Sequence, residues 1–213
     1  FQIGFGGIPG RPMGDGPDGH SLWPGFTNVP NEFLERYFPL VIERYETVAD
    51  SGGAGLHRGG NGINMVYRFL EPGVIAIHDD RWFVPPWGVN GGEPGARARK
   101  LLVKADGSEV ILPNKCEDYR VEAGDRLQFI TWGGGGWGDP LERDPALVGL
   151  EIRQGLVTAE GARARGKRFP HTLLTGPAGT GKSTLARGIA VAAGQPLAEV
   201  SAPLLSECGP PRR

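Results

Sequence analysis

Short runs in which apolar and polar residues alternate fill the middle of the chain, and this pattern is typical of β-strands. Turn signals separate the runs. Asp106-Gly107 is a hairpin dipeptide, and residues 122–125 form a second tight connection. We therefore predict a β-rich body whose strands lie at 40–48, 63–70, 74–79, 81–85, 99–105, 109–113 and 125–132.

Helical signals are fewer and lie outside this strand-rich region. A helix is expected at 31–38, another from Pro145 towards Gly155, and a third that runs towards Arg165. Pro145 suits the first position of its helix and Gly155 the position beyond its end. Each helix begins at a residue that can cap it, namely Asn31, Asp144 and Thr158.

Glycine and proline are concentrated between these elements, with 36 glycines and 19 prolines in 213 residues. Residues 1–30 have no apolar period of 2 or 3.6, so we expect a loop-like segment there. Further glycine runs occupy 51–60 and 133–138. Because glycine allows close backbone approach, these two runs either line a site or turn corners.

The character of the sequence changes at 166–170, where an apolar run leads into the phosphate-loop pattern G-x-x-x-x-G-K-[ST] and then an alanine-rich helix. The predicted fold class is α+β: a β-rich body with short helices, followed by a partial P-loop β-α-β unit. The expected domains are a loop-like segment at 1–30, a body at 31–165 and a P-loop segment at 166–213.

Charge and cysteine content exclude several classes of function. The formal net charge of −1 and the lack of a long basic run argue against a nucleic-acid partner and an acidic membrane surface. No run of about 18 apolar residues predicts a membrane span. Cys116 and Cys208 do not form a metal or disulfide motif. We therefore expect a cytoplasmic protein with no membrane and no nucleic-acid partner.

Residues 20–165 resemble the C-terminal part of the hydantoinase B/oxoprolinase family. The resemblance is carried by "GHSLWPGFTNVPNEFLERYFPLVIERYETVADSGGAGLHRGGNG", "HDDRWFVPPWGVNGGEPGARARK" and "TWGGGGWGDPLERDPALV". It implies a part of a longer hydrolase subunit that opens cyclic amides such as hydantoin or 5-oxoproline. It also implies a hetero-oligomer with an A-type ATP-binding subunit that phosphorylates the substrate carbonyl. We expect the chain alone to be inactive.

Two alternatives to this function stay open. The family also includes alpha-type subunits of acetone-like carboxylases, and the chain can instead be a non-catalytic chimera or a partial P-loop ATPase. A divalent metal is possible in the full-length family protein, but the resemblance identifies no ligand in this sequence.

Weak catalytic candidates come from the residue types around the glycine runs. His57 and Arg58 can orient a carboxylate, with packing as the alternative role of the arginine. His78, Asp79 and Asp80 have metal-ligand chemistry, but neighbouring strand residues point to opposite faces, so one strand cannot direct all three to one ion. Cys116 has no identified base that would make it a nucleophile.

The segment from about 169 to 206 resembles the first βα unit of AAA-type ATPases. The resemblance implies that backbone N–H groups cradle phosphate, Lys182 reaches the β- and γ-phosphates, and Ser183 contacts Mg²⁺. ATP and Mg²⁺ are thus the implied cofactors. The expected nucleotide-binding residues are Gly176, Gly179, Thr180, Gly181, Lys182, Ser183 and Thr184.

Overall fold

The computed structural model describes residues 2–20, 25 and 27–164. It confirms a mixed, strand-rich architecture with short helices, consistent with the α+β class. The strands are β1 Leu40–Thr47, β2 Ile63–Phe69, β3 Gly73–His78, β4 Arg99–Val103, β5 Glu109–Ile111, β6 Lys115–Val121 and β7 Arg126–Ile130. The helices are α1 Asn31–Tyr37, α2 Pro145–Arg153 and α3 Ala159–Ala164, with a 3₁₀ turn at Pro140–Glu142.

Five strands form an antiparallel sheet in the order β1-β2-β7-β4-β5, and β3 pairs with β6 in a second, two-stranded sheet. Side chains from both sheets meet in one hydrophobic core. β2 lies between β1 and β7 and contributes every second residue to this core, as the period of a strand requires. The core side chains are Leu34, Ile63, Met65, Tyr67, Phe69, Ile77, Leu102, Leu112, Val121 and Leu127.

Two details of the strand prediction are wrong. Residues 81–84 form bends and Pro85 lies outside any strand, because Arg81 has a φ of 58° and the prolines at 85 and 86 have no amide hydrogen to donate to a neighbouring strand. The strand Lys115–Val121 was not predicted. Its sequence, KCEDYRV, is mostly polar because most of its side chains face solvent.

Of the turn at Gly107 and the caps of α1 and α2, all but one follow the expected local chemistry, and the Thr158 cap of α3 stays a prediction. Gly107, at a φ of 87°, closes the β4–β5 hairpin, and the Asp144 side chain accepts a hydrogen bond from the Ala146 amide as the cap of α2. The exception is Asn31, which is the first residue of α1 rather than its cap. Pro30 takes the cap position and makes no side-chain hydrogen bond there.

The chain divides into two compact units, 1–158 and 159–213. Of the second unit, only helix α3 belongs to the described residues. The domain boundaries expected near 30 and 165 stay predictions. No helix in the described part of the chain has the length and apolar character needed to cross a membrane.

Candidate functional site

The glycine runs at 51–60 and 133–138 lie side by side as extended segments. The Gly53 amide donates to the Gly134 carbonyl and the Gly134 amide to the Gly60 carbonyl, both at 2.8 Å. Such close backbones leave no room for side chains, since a Cβ on Gly59 would overlap the Gly134 carbonyl oxygen. The structure shows that the two glycine runs approach each other, and whether they also line a site stays a prediction.

Two further stretches join this arrangement, which we call the glycine bundle: residues 4–19, 51–62, 86–96 and 132–138. The loop-like N-terminal segment contributes, for example, the Gly10 amide, which donates to the Gly135 carbonyl at 2.8 Å. The Val89 amide donates to the Gly136 carbonyl at 2.9 Å. In its described residues, the N-terminal segment forms no helix and pairs with itself only in the isolated bridge of Arg11 with Gly14, yet the bundle fixes its backbone.

Arg58 lies at one side of the bundle and is buried. Its Nε donates to Glu151 Oε1 at 2.8 Å, and its Nη1 donates to Asp18 Oδ1 at 2.8 Å and to the Gly59 carbonyl at 2.7 Å. These contacts tie the bundle to α2, which carries Glu151. They favour the packing role of Arg58 over the binding of a substrate carboxylate.

A second buried arginine, Arg143, completes this cluster. It donates to both oxygens of Asp15, at 2.8 and 2.7 Å, and to Glu151 at 2.8 Å. Burial alone would raise the pKa of Asp15, but the hydrogen bonds and charges of Arg143 and Arg58 outweigh it, so the pKa lies below its ordinary value. The cluster is thus a network of ion pairs that holds three separate stretches of chain together.

His57 lies next to this cluster but is only partly enclosed. Its ring stacks on Trp137 with centroids 5.7 Å apart, and its Nδ1 is 4.0 Å from Asp15 Oδ1. That separation is too long for a hydrogen bond, so the pair is not a histidine held by a carboxylate in the manner of a general base. The catalytic role of His57 stays a hypothesis.

His78 and Asp79 lie on different sides of their strand end, as expected for neighbouring residues. His78 is exposed, with its Nε2 2.6 Å from Glu117 Oε1 across the β3–β6 pair. Asp79 is buried and pairs with Lys100. Across the described ranges, no three His, Cys, Asp or Glu side chains gather in a way that could hold a metal ion. The described residues thus offer no cluster of ligands for the divalent metal that the resemblance allows, and this metal stays a prediction.

The Lys100–Asp79 pair is a charged contact inside the hydrophobic body. Lys100 Nζ binds the Asp79 carboxylate, donates to the Ile130 carbonyl at 3.1 Å and lies 3.8 Å from the centroid of the Phe129 ring. Burial raises the pKa of Asp79 and lowers the pKa of Lys100, and in each case it outweighs the attraction between the partners.

Sequence reasoning missed the ionic residues of these networks, which are the buried Lys100, Arg143 and Glu151 and the partly buried Asp15 and Asp18. No local pattern marks them, since each has the sequence context of an ordinary surface charge until its distant partner is known.

Cys116 is a free, partly buried residue of β6. The nucleotide-binding residues from Gly176 to Thr184 lie outside the described part of the chain.

Residues 1–140 match the family model of hydantoinase B/oxoprolinase. The chain belongs to the hydantoinase B/oxoprolinase family. Residues 149–210 match a second model, the P-loop domain of the Holliday junction DNA helicase RuvB.

Two relatives and one solved structure show how far this likeness extends. 5-Oxoprolinase 1 of Arabidopsis thaliana is 37% identical over 110 residues, which are 52% of this chain and 9% of that protein. Caprolactamase subunit beta of Pseudomonas jessenii is 36% identical over 139 residues, or 62% of this chain and 23% of the relative. Nucleotide-free acetone carboxylase shares the fold, with a TM-score of 0.66 at 20% identity over 99% of this chain and 31% of that chain. The chain thus spans under a quarter of the two relatives' length.

Proposed function

We propose that this chain is the C-terminal part of a hydantoinase B-type subunit in a cytoplasmic, ATP-dependent complex that hydrolyses cyclic amides such as hydantoin or 5-oxoproline. The observation that carries the proposal is the family match over 1–140, together with the likeness to a caprolactamase subunit. The proposed partner is an A-type ATP-binding subunit, which makes the complex a hetero-oligomer.

Within this complex, the described residues of the first unit, up to 158, act as a rigid scaffold. Two of the catalytic candidates, Arg58 and Asp79, are buried and engaged in internal ion pairs. A residue that receives a substrate carboxylate or a proton needs a free position toward the substrate. Arg58 and Asp79 are therefore assigned to the scaffold, and His57 and His78 stay the catalytic candidates of the described part of the chain.

We predict that the purified chain alone does not hydrolyse hydantoin, 5-oxoproline or caprolactam, with or without ATP. The reason is that its charged candidates already have internal partners. Product release should be measured by chromatography, and caprolactamase serves as the positive control for the assay. Turnover by the lone chain that is lost in Arg58→Lys would contradict the scaffold role.

The assignment to the family complex needs a positive test. A chimera of caprolactamase subunit beta, with its matching segment replaced by residues 1–158 of this chain, should retain caprolactam hydrolysis when supplied with its partner subunit and ATP. Deletion of the same segment is the control and should be inactive. A well-folded but inactive chimera would count against the proposal.

A carboxylase subunit is the second candidate, because the chain shares its fold with acetone carboxylase. The two candidates differ in the reaction that the assembled complex performs. Supplying the complex with acetone, bicarbonate and ATP and measuring carboxylated product distinguishes them. Carboxylation without cyclic-amide hydrolysis would favour the second candidate.

A third candidate activity is nucleotide binding at the P-loop motif, which the match to a P-loop domain supports. We propose that the motif cradles phosphate weakly and does not hydrolyse ATP. Residues 185–213 contain no acidic pair to complete a Mg²⁺ site, and phosphoryl transfer requires such a contact.

We predict that Mg-ATP binds this chain no more tightly than about 1 mM, or about −4 kcal/mol. Phosphate release should stay at background both in the wild-type chain and in Lys182→Ala. Calorimetric titration and a phosphate-release assay measure the two quantities. Micromolar binding with turnover that Lys182→Ala abolishes would show the motif to be a working ATPase.

A further inference from the structure

An exposed apolar surface lies on residues 80–98, which we call the aromatic loop. Three large apolar side chains near its start face solvent: Phe83 is 70% exposed, Val84 60% and Trp87 64%. Single exposed apolar residues are common on protein surfaces, whereas several large ones close together are a feature of interaction sites.

The aromatic loop is held in one conformation by hydrogen bonds at both ends and in the middle. The Ala98 amide donates to the Arg81 carbonyl at 3.1 Å and the Gly95 amide to the Pro86 carbonyl at 2.8 Å. The Ala96 amide donates to the Ser51 carbonyl of the glycine bundle at 2.7 Å. Because the loop is ordered before any contact is made, a partner loses little conformational entropy in binding it.

Arginine side chains surround the apolar tip. The Arg81 guanidinium lies 5.0 Å from the centroid of the Trp87 ring, and Arg97 Nη1 donates to the Phe83 carbonyl at 3.4 Å. Arg99 is exposed where the loop meets β4. Asp80 and Glu93 are the acidic residues of the loop, so the positive charge is local to the two arginines that contact the apolar tip. Tryptophan and arginine are the residues most often found at the energetic centre of protein interfaces.

We propose that the aromatic loop is the docking surface for the ATP-using partner subunit, which would receive Trp87 and Phe83 in an apolar socket bordered by carboxylates. The choice of partner rests on the proposed function, whereas the surface rests on the geometry of the loop. A protein fits better than a membrane, because the loop is fixed by the bundle and the chain's net charge of −1 gives no general attraction to anionic lipid.

Binding of the full chain to a purified hydantoinase A-type subunit, measured by calorimetry, tests the proposal. Trp87→Ala should weaken binding by about 30-fold or more, as expected for a residue at the centre of an interface. The double variant Arg81→Glu/Arg97→Glu should slow association and reverse its salt dependence. Tyr37→Ala is the matched control, since Tyr37 is 72% exposed on α1, and it should bind like the wild type.

The outcomes separate this proposal from the proposed function. If the wild-type chain binds the A-type subunit and Trp87→Ala binds equally well, the docking surface is wrong and the proposed complex survives. If the wild-type chain does not bind, both the partner and its docking surface are wrong. Two further results overturn the choice of occupant: a dimer of the chain in sedimentation that Trp87→Ala abolishes, or Trp87-dependent binding to phosphatidylcholine/phosphatidylglycerol vesicles.

Discussion

Alanine in place of Gly135 is expected to destabilise the first unit by about 4 kcal/mol or more, enough to abolish cooperative folding in a domain of ordinary stability. The added Cβ would stand 2.5 Å from the Trp87 carbonyl carbon, and it would overlap the carbonyl oxygen. Both are backbone atoms, which cannot rotate away as the end of a side chain can. Urea unfolding followed by tryptophan fluorescence measures the loss.

Gly149→Ala is the matched control for this substitution. Gly149 lies inside α2, where a new Cβ would meet only the Arg153 guanidinium, at 3.7 Å. Alanine there should stabilise the protein by about 0.5–1 kcal/mol, the usual gain over glycine in a helix interior. A Gly135→Ala protein that is as stable as the wild type would show that the bundle is not packed as described.

The sequence predicted the apolar strands at the centre of the large sheet. β2, β4 and β7 were found close to their predicted bounds, and each contributes buried side chains to the core. The pattern of apolar and polar residues does not reveal a strand that has little buried surface, such as Lys115–Val121. It also wrongly predicts a strand where a run of β-forming residues contains proline, as in 81–85. The order of the strands in the sheet could not be predicted from the sequence, because β2 pairs with β7, which lies more than fifty residues away in the chain.

The candidate site was predicted less well than the strands. The sequence marked the glycine runs and the residues His57, Arg58, His78 and Asp79, but their partners lie far away in the chain. Arg58 binds Asp18 and Glu151, which are 40 and 93 residues distant. A single sequence does not contain the pairing that decides whether such a charge is buried or free for substrate.

The glycine bundle and the Asp79–Lys100 ion pair hold different parts of the proposed docking surface. The glycine bundle fixes the middle of the aromatic loop, through Val89 and Ala96. The ion pair of Asp79 with Lys100 fixes its ends, because Asp79 immediately precedes the loop and Lys100 follows it by two residues. Loss of this pair should therefore affect both the stability of the fold and the position of the loop.

Lys100→Met is expected to cost about 3–5 kcal/mol at pH 7, since it leaves the buried Asp79 carboxylate without its cation. The double variant Lys100→Met/Asp79→Leu removes both charges and should recover most of this loss, because replacing a buried ion pair by apolar side chains is often neutral or stabilising. Urea unfolding of wild type, both single variants and the double variant gives the coupling energy directly.

The loss of folding stability in Lys100→Met should depend on pH, whereas a simple loss of packing would not. Burial already raises the pKa of Asp79 in the wild-type fold, and removal of Lys100 takes away the main opposing influence. An acid whose pKa is raised by folding favours the folded state below its unfolded pKa of about 4, and this contribution is lost as the pH rises through the folded pKa. The deficit of Lys100→Met should therefore be smallest near pH 4 and grow towards neutral pH. A deficit that is independent of pH, or a double variant less stable than Lys100→Met, would mean that the lysine acts by filling space rather than by neutralising Asp79.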